Sequence, residues 1–116
     1  MVSVHCNAAG NGMWMSARGW SAYTTKGLTV SDKLATCLYN EAEKNFTGMK
    51  IRKDCTDGDA DIEENFYILK NTSCAAVLTE NFFQDNKEDV TFLLSQDGQD
   101  KIVKTHVDGI IKFLTR

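Results

Sequence analysis

The 116-residue chain contains no proline, no pair of cysteines two residues apart, no excess of basic charge and no long apolar run. Each absence excludes something. The four cysteines (Cys6, Cys37, Cys55 and Cys74) stand far apart, which rules out a ribbon-type zinc site and offers no disulfide framework. The reading for Cys37 and Cys74 is small, buried thiols. A formal charge of −3, with both signs mixed along the chain, gives no footprint for nucleic acid. No segment approaches the roughly 20 apolar residues that span a bilayer, so the chain is not expected to cross a membrane. The opening residues MVSVHCNA lack the basic start and apolar stretch of a secretory leader. They read as a strand that begins at once, and the expectation is that a segment upstream has been lost or is supplied by another chain.

What remains is the composition of an ordinary globular domain, 42% apolar and 25% charged, at a length suited to one core spanning residues 1–116. Val2, Val4 and Cys6 alternate with Ser3, His5 and Asn7, which predicts a strand over 2–7. AAGNG at 8–12 breaks the chain into a loop, and Gly19–Thr24 reads as a second strand. Thr29 or Ser31 can cap a helix, with Asp32 favourable in its first turn. Leu34, Cys37, Leu38, Ala42 and Phe46 mark that helix's apolar face, and Gly48 ends it. Residues 49–64 read as an acidic loop without periodicity.

Phe66–Leu69 and Ala75–Glu80 read as strands joined by a turn at Asn71-Thr72-Ser73. Asn86 caps a short helix to about Leu94. Ser95 opens the last helix, with Ile102, Val103, Val107, Ile110, Ile111 and Leu114 in one stripe. Strands mixed with amphipathic helices predict an α/β layer fold with a mostly parallel, twisted sheet flanked by helices.

Two residues attract chemistry. His5 lies near the carboxyl end of the first strand and Glu80 at the end of an apolar one, the edge where open α/β sheets place ligands. A neutral imidazole binds zinc, and a carboxylate beside a metal-bound water serves as general base. Taken singly, a histidine at a strand end is more often a satisfied polar residue and a glutamate there more often solvated or capping a turn, and spacing alone does not name a reaction. His106, between Ile102 and Ile110 on the apolar face of the last helix, reads as a packed or hydrogen-bonded core residue far from the strand ends. Asp57, Asp59, Asp61, Glu63 and Glu64 lack the order of a calcium loop and read as solvated. Trp20 reads as core. Trp14 stays open between core and a wall for sugar or peptide, with Tyr23 nearby.

VSVHCNAAGNG resembles the S-[IL]-H-x-N segment of the zinc-dependent N-acetylmuramoyl-L-alanine amidases. GMKIRKD, ENFYILKNTSCAAVLTENFF and DNKEDVTFLLSQDGQDKIVKTHVDGIIKFL resemble, in order and spacing, the rest of that family's carboxyl-terminal portion, and the expectation is that the family's N-terminal strand and helix segment is lacking. The resemblance implies that His5 is the family's last zinc-binding histidine and Glu80 its catalytic glutamate. Asn7, from the same motif, and Arg52, whose fork suits a carboxylate, are candidate substrate contacts. The family's two other metal ligands fall upstream of His5, so the expectation is an incomplete Zn2+ site in these residues, since catalytic zinc ordinarily takes three protein ligands and water. Four positions depart from the family pattern. Ala60 and Ala75 stand where prolines are usual, and Asn81 and Phe82 replace a leucine and a glycine after the glutamate.

The implied activity is hydrolysis of the amide between N-acetylmuramic acid and L-alanine, with peptidoglycan as partner, in the cell envelope, periplasm or medium. The alternative is a catalytically inactive domain that binds peptidoglycan or a partner chain.

Overall fold

The computed structural model describes residues 1–26, 29–54, 61–64 and 66–116. The elements run β1 (Val2–Asn7), β2 (Trp20–Thr24), α1 (Val30–Asn45), β3 (Ile62–Glu63), α2 (Tyr67–Lys70), β4 (Val77–Phe83), α3 (Lys87–Leu94) and α4 (Gln96–Leu114). Four strands form one sheet in the order β1-β4-β2-β3. β1 runs parallel to β4 and β2 parallel to β3, while β2 and β4 are antiparallel. The α/β class holds.

The caps explain where the helices begin. Thr29 caps α1 in a capping box, its hydroxyl accepting from Ser31 N and Asp32 returning a carboxylate to Thr29 N. Asn86 accepts from Asp89 N at α3, and Ser95 accepts from Gly98 N at α4. These caps satisfy amides that would otherwise lack partners.

α1 and α4 cover one face of the sheet. Trp20, Leu38, Tyr39, Phe46, Val77 and Phe82 are fully or almost fully buried there. Trp20 meets Tyr39 edge-on at 5.0 Å, and Phe46 meets Phe82 at 5.0 Å, spacings at which aromatic pairs attract. Gly109 lets α4 approach α1, because a Cβ there would sit 2.7 Å from Leu38 Cδ2. The opposite face is smaller, with Leu69, Ala76 and Leu78 buried and Tyr23 packed against them.

Three local expectations change. Phe66–Leu69 is not a strand: Tyr67–Lys70 makes one helical turn, with Lys70 N bonded to Phe66 O and Asn71 N to Tyr67 O. Only Leu69 is buried, and Tyr67 is 81% exposed, so no sheet face was available to hold a strand here. Within the expected loop, Ile62–Glu63 pairs with β2, and Ile51 bridges Trp20. Cys74 is exposed and Cys37 only half-buried, so neither is a core thiol. Asp57 and Asp59, like Cys55 and Ala60, lie outside the described residues; Asp61 is buried, its carboxylate accepting from the Thr24 hydroxyl.

β4 runs on past Glu80 to Phe83 through a bulge. His5 faces Glu80 and Asn7 faces Phe83, so Cys6 alone opposes both Asn81 and Phe82. Phe82 adopts φ +66° to make this possible. That conformation suits glycine and costs an L-residue about 1–2 kcal/mol. The Phe82 ring, buried against Phe46 and Phe92, holds it in place.

Candidate active site

Parallel pairing of β1 with β4 sets His5 directly beside Glu80, on strands about 4.8 Å apart. On its other side Glu80 faces Ser21 of β2. Directly opposed residues share a sheet face, so His5, Glu80 and Ser21 form a row across three strands with the carboxylate in the middle. This row lies on the face away from α1 and α4.

The row is poorly satisfied. Glu80 Oε2 and Ser21 Oγ are buried and without a hydrogen-bond partner. Burial raises the Glu80 carboxyl above its ordinary range, and the nearby His5 imidazole offsets part of that rise. His5 itself is exposed, with Nε2 2.7 Å from the Ser3 hydroxyl. Buried polar groups are nearly always paired. An orphan carboxylate oxygen next to an accessible imidazole therefore marks a place prepared for something polar from outside.

The other face is the reverse. His106 Nδ1 lies 2.7 Å from Ile102 O, and its Nε2 lies 2.9 Å from Thr79 Oγ1. A carbonyl only accepts, so Nδ1 donates to Ile102 and Nε2 accepts from the Thr79 hydroxyl, a neutral ring with both nitrogens used. Burial holds its pKa below the usual histidine range, with the Ile102 hydrogen bond opposing. His106 is the core residue that its apolar helix face predicted. It is not remote from the strand ends, however, since Thr79 directly precedes Glu80. Asn81 extends this network: its amide donates to Thr79 Oγ1 and to His5 O, and its carbonyl accepts from Trp20 Nε1 at 2.8 Å. The backbone of His5 is thus tied into the core while its side chain stays exposed beside Ser3.

Asn7 is half-buried at the end of β1, accepting from Ala8 N through Oδ1 and from Gln84 N through its carbonyl. Arg52 stacks its guanidinium 5.3 Å from the Phe83 ring and points Nη1 at Arg18 O, 3.4 Å away. Trp20 is fully buried, as expected. Ser21 and Asn81 were not singled out as site residues by sequence reasoning. Their roles depend on which strand lies beside them, and no motif carries that information.

Among the described residues, no group of three or more His, Cys, Asp or Glu side chains is placed to hold a metal. Nor is any described helix long and apolar enough to cross a membrane.

Known proteins resemble this chain in sequence and fold. An endolysin of Bacillus phage SPP1 is 31% identical over 116 residues, covering 97% of this chain and 39% of that protein. An N-acetylmuramoyl-L-alanine amidase of Nostoc punctiforme superposes with a TM-score of 0.82 at 25% identity, over 99% of this chain and 57% of that one. The fold also recurs in the N-acetylmuramoyl-L-alanine amidase of Clostridium difficile 630, at a TM-score of 0.83 and 23% identity, over 98% of this chain and 56% of that one. The chain therefore spans between about two-fifths and three-fifths of these relatives' lengths. The sequence profile of one family runs through both sheet strands of the His5–Glu80 pair and matches residues 1–112, so the chain belongs to the N-acetylmuramoyl-L-alanine amidase family.

Proposed function

We propose that this chain supplies the general base, Glu80, and one metal-binding imidazole, His5, for hydrolysis of the amide between N-acetylmuramic acid and L-alanine in peptidoglycan. The observation that carries the reading is the cross-strand pair itself: an accessible imidazole beside a carboxylate whose buried Oε2 has no partner.

The residues present fit part of a zinc site. His5 would be one ligand, its ring steadied by Ser3, in the way that outer hydrogen bonds orient metal-binding histidines. A catalytic zinc takes three protein ligands, so the rest of the set would come from beyond the described residues. Bound there, zinc would supply water activation and polarisation of the lactyl carbonyl.

Glu80 does the proton work. Held half-buried, with its pKa raised by burial, it takes a proton from the attacking water and passes it to the alanine nitrogen as the amide bond breaks. A carboxyl raised toward neutrality suits a group that must both accept and return a proton. Ser21, opposite Glu80, offers a hydroxyl to the same polar row. Asn7 and Arg52, both beside Phe83 at the end of β4, are proposed contacts for the peptide stem.

The absence of three clustered ligands among the described residues favours a second state of affairs for the chain by itself: binding to peptidoglycan without turnover. Muropeptide mass spectrometry separates the two. The 116 residues alone are expected to free little or no stem peptide with a new alanine amino terminus. A fusion carrying the upstream part of the SPP1 endolysin is expected to free it readily, and to lose about 10²–10⁴-fold in rate on Glu80→Ala. Robust, Glu80-dependent release by the 116 residues alone would show that zinc is held by ligands other than those proposed.

A further inference from the structure

The loop after β1 carries a feature that the His5–Glu80 chemistry does not use. Met13 is 67% exposed, Trp14 58% and Met15 38%, three large apolar side chains in succession at the surface. The first two border a concavity of about 600 Å³, lined by Gly12, Met13, Trp14, Gln84 and Asp85. Ligand sites fall in this size range and combine apolar walls with a few placed polar groups.

The loop is held firmly. The Asp85 carboxylate accepts from Ala9 N and Gly10 N, Met15 N donates to Asp85 O at 2.7 Å, and Asn86 Nδ2 donates to Met15 O at 3.1 Å. The Met15 thioether packs against Gly10. The Lys87 ammonium stands 5.7 Å from the centre of the Trp14 ring, within cation–π range. An aromatic ring fixed at the surface in this way is a pre-ordered contact, and rigid aromatic anchors bind at low entropic cost.

We infer that Trp14 is a platform on which a pyranose ring of the glycan strand stacks, with Gln84 meeting the sugar's hydroxyl or acetamido groups. This rests on the amidase reading and names the part of the substrate that the site would grip. The chemistry matches: a sugar ring has an apolar C–H face for the indole and a polar rim for a carboxamide. Gln84 is exposed, and its side chain lies in the same concavity. Position matches too. Gln84 follows Glu80 by four residues, on the order of 10–13 Å along the strand, which is the reach of one or two sugar rings from the amide to be cut. A net charge of −3 and a single lysine at the ring do not suit an anionic membrane surface.

The chain has two tryptophans, and Trp20 is fully buried, so changes in iodide-accessible emission report on Trp14. Chitotetraose, which has the sugar backbone but neither lactyl group nor peptide, is the probe, with an L-alanyl stem peptide as the control. Chitotetraose is expected to shift the emission to the blue and shield it from iodide, while the stem peptide alone leaves it unchanged. By calorimetry, Trp14→Ala is expected to weaken chitotetraose binding roughly tenfold or more, the scale of losing one stacked ring. Trp14→Phe should keep most of it. Unchanged emission with chitotetraose, or equal binding by Trp14→Ala with the Trp20 signal intact, would overturn the platform. If muropeptide still bound and that binding fell on His5→Ala, the amidase reading would stand without it. If neither saccharide nor muropeptide bound, both would fall together.

Discussion

The two faces of the central strand β4 are built on opposite rules. Toward α1 and α4, the polar groups beside β4 are answered: His106 uses both ring nitrogens, and Thr79, Asn81 and Trp20 form one connected network. On the other face, one residue along, Glu80 and Ser21 each leave a buried oxygen unanswered and His5 lies open. Two histidines in one small domain thus have different meanings. The satisfied one is structural. The exposed one, His5, stands beside the buried, unpaired oxygens of Glu80 and Ser21, groups that cost about 1–3 kcal/mol when left without a partner.

The largest expected difference is in packing, between the core and the outer strand β1. Phe46 touches Trp20, Phe82 and Phe92, and Phe46→Ala should cost about 3–5 kcal/mol, the usual range for a buried aromatic. Val4, 58% exposed on the outer strand β1, should change stability by no more than about 0.5 kcal/mol when replaced by Thr. Urea unfolding of both variants checks this. Equal losses would show that β1 is as deeply packed as the core.

A smaller effect, at His106, depends on pH. His106 is neutral when folded, and its depressed pKa means that the unfolded chain takes up a proton first. Its contribution to stability is therefore present above about pH 6.5 and declines as pH falls below that value. Between pH 7.5 and 5.5 the parent should lose more stability than His106→Gln, as read from the midpoints of thermal unfolding. Parallel curves would mean that His106 carries a proton in the folded state.

Smaller still is the expected gain at Glu80. Folding disfavours its charged form, so the raised pKa destabilises the zinc-free chain above that pKa and has no effect below about pH 4.3. Glu80→Gln should raise the unfolding temperature slightly at pH 7.5 and leave it unchanged at pH 4. A drop at pH 7.5 would mean that the carboxylate has a stabilising partner. Functional groups commonly reduce stability in this way.

This contrast also explains what the sequence made legible. β1 spans the predicted residues, and α1, α3 and α4 begin at predicted caps, because alternation, helical spacing and side-chain capping are local. The His5–Glu80 juxtaposition was legible only as a shared edge, conditional on parallel strands; the register that opposes them belongs to the sheet. The bulge was hidden, since a phenylalanine gives no sign that it will adopt φ +66°. α2 was misread because FYIL has the composition of a strand, and nothing local says that no neighbouring strand will receive it. Ser21 and Asn81 look unremarkable in the chain and acquire meaning only across strands.

The proposed site gives neighbours different tasks: His5 would hold the metal, and Glu80 would move the proton. In the fusion that carries the upstream part of the SPP1 endolysin, zinc content and muropeptide turnover should be measured together for His5→Ala and Glu80→Gln. The account predicts that Glu80→Gln keeps its zinc and loses turnover by about 10²–10⁴-fold, while His5→Ala loses both. A zinc-loaded Glu80→Gln protein cleaving at the parent rate, or His5→Ala retaining full zinc, would contradict it.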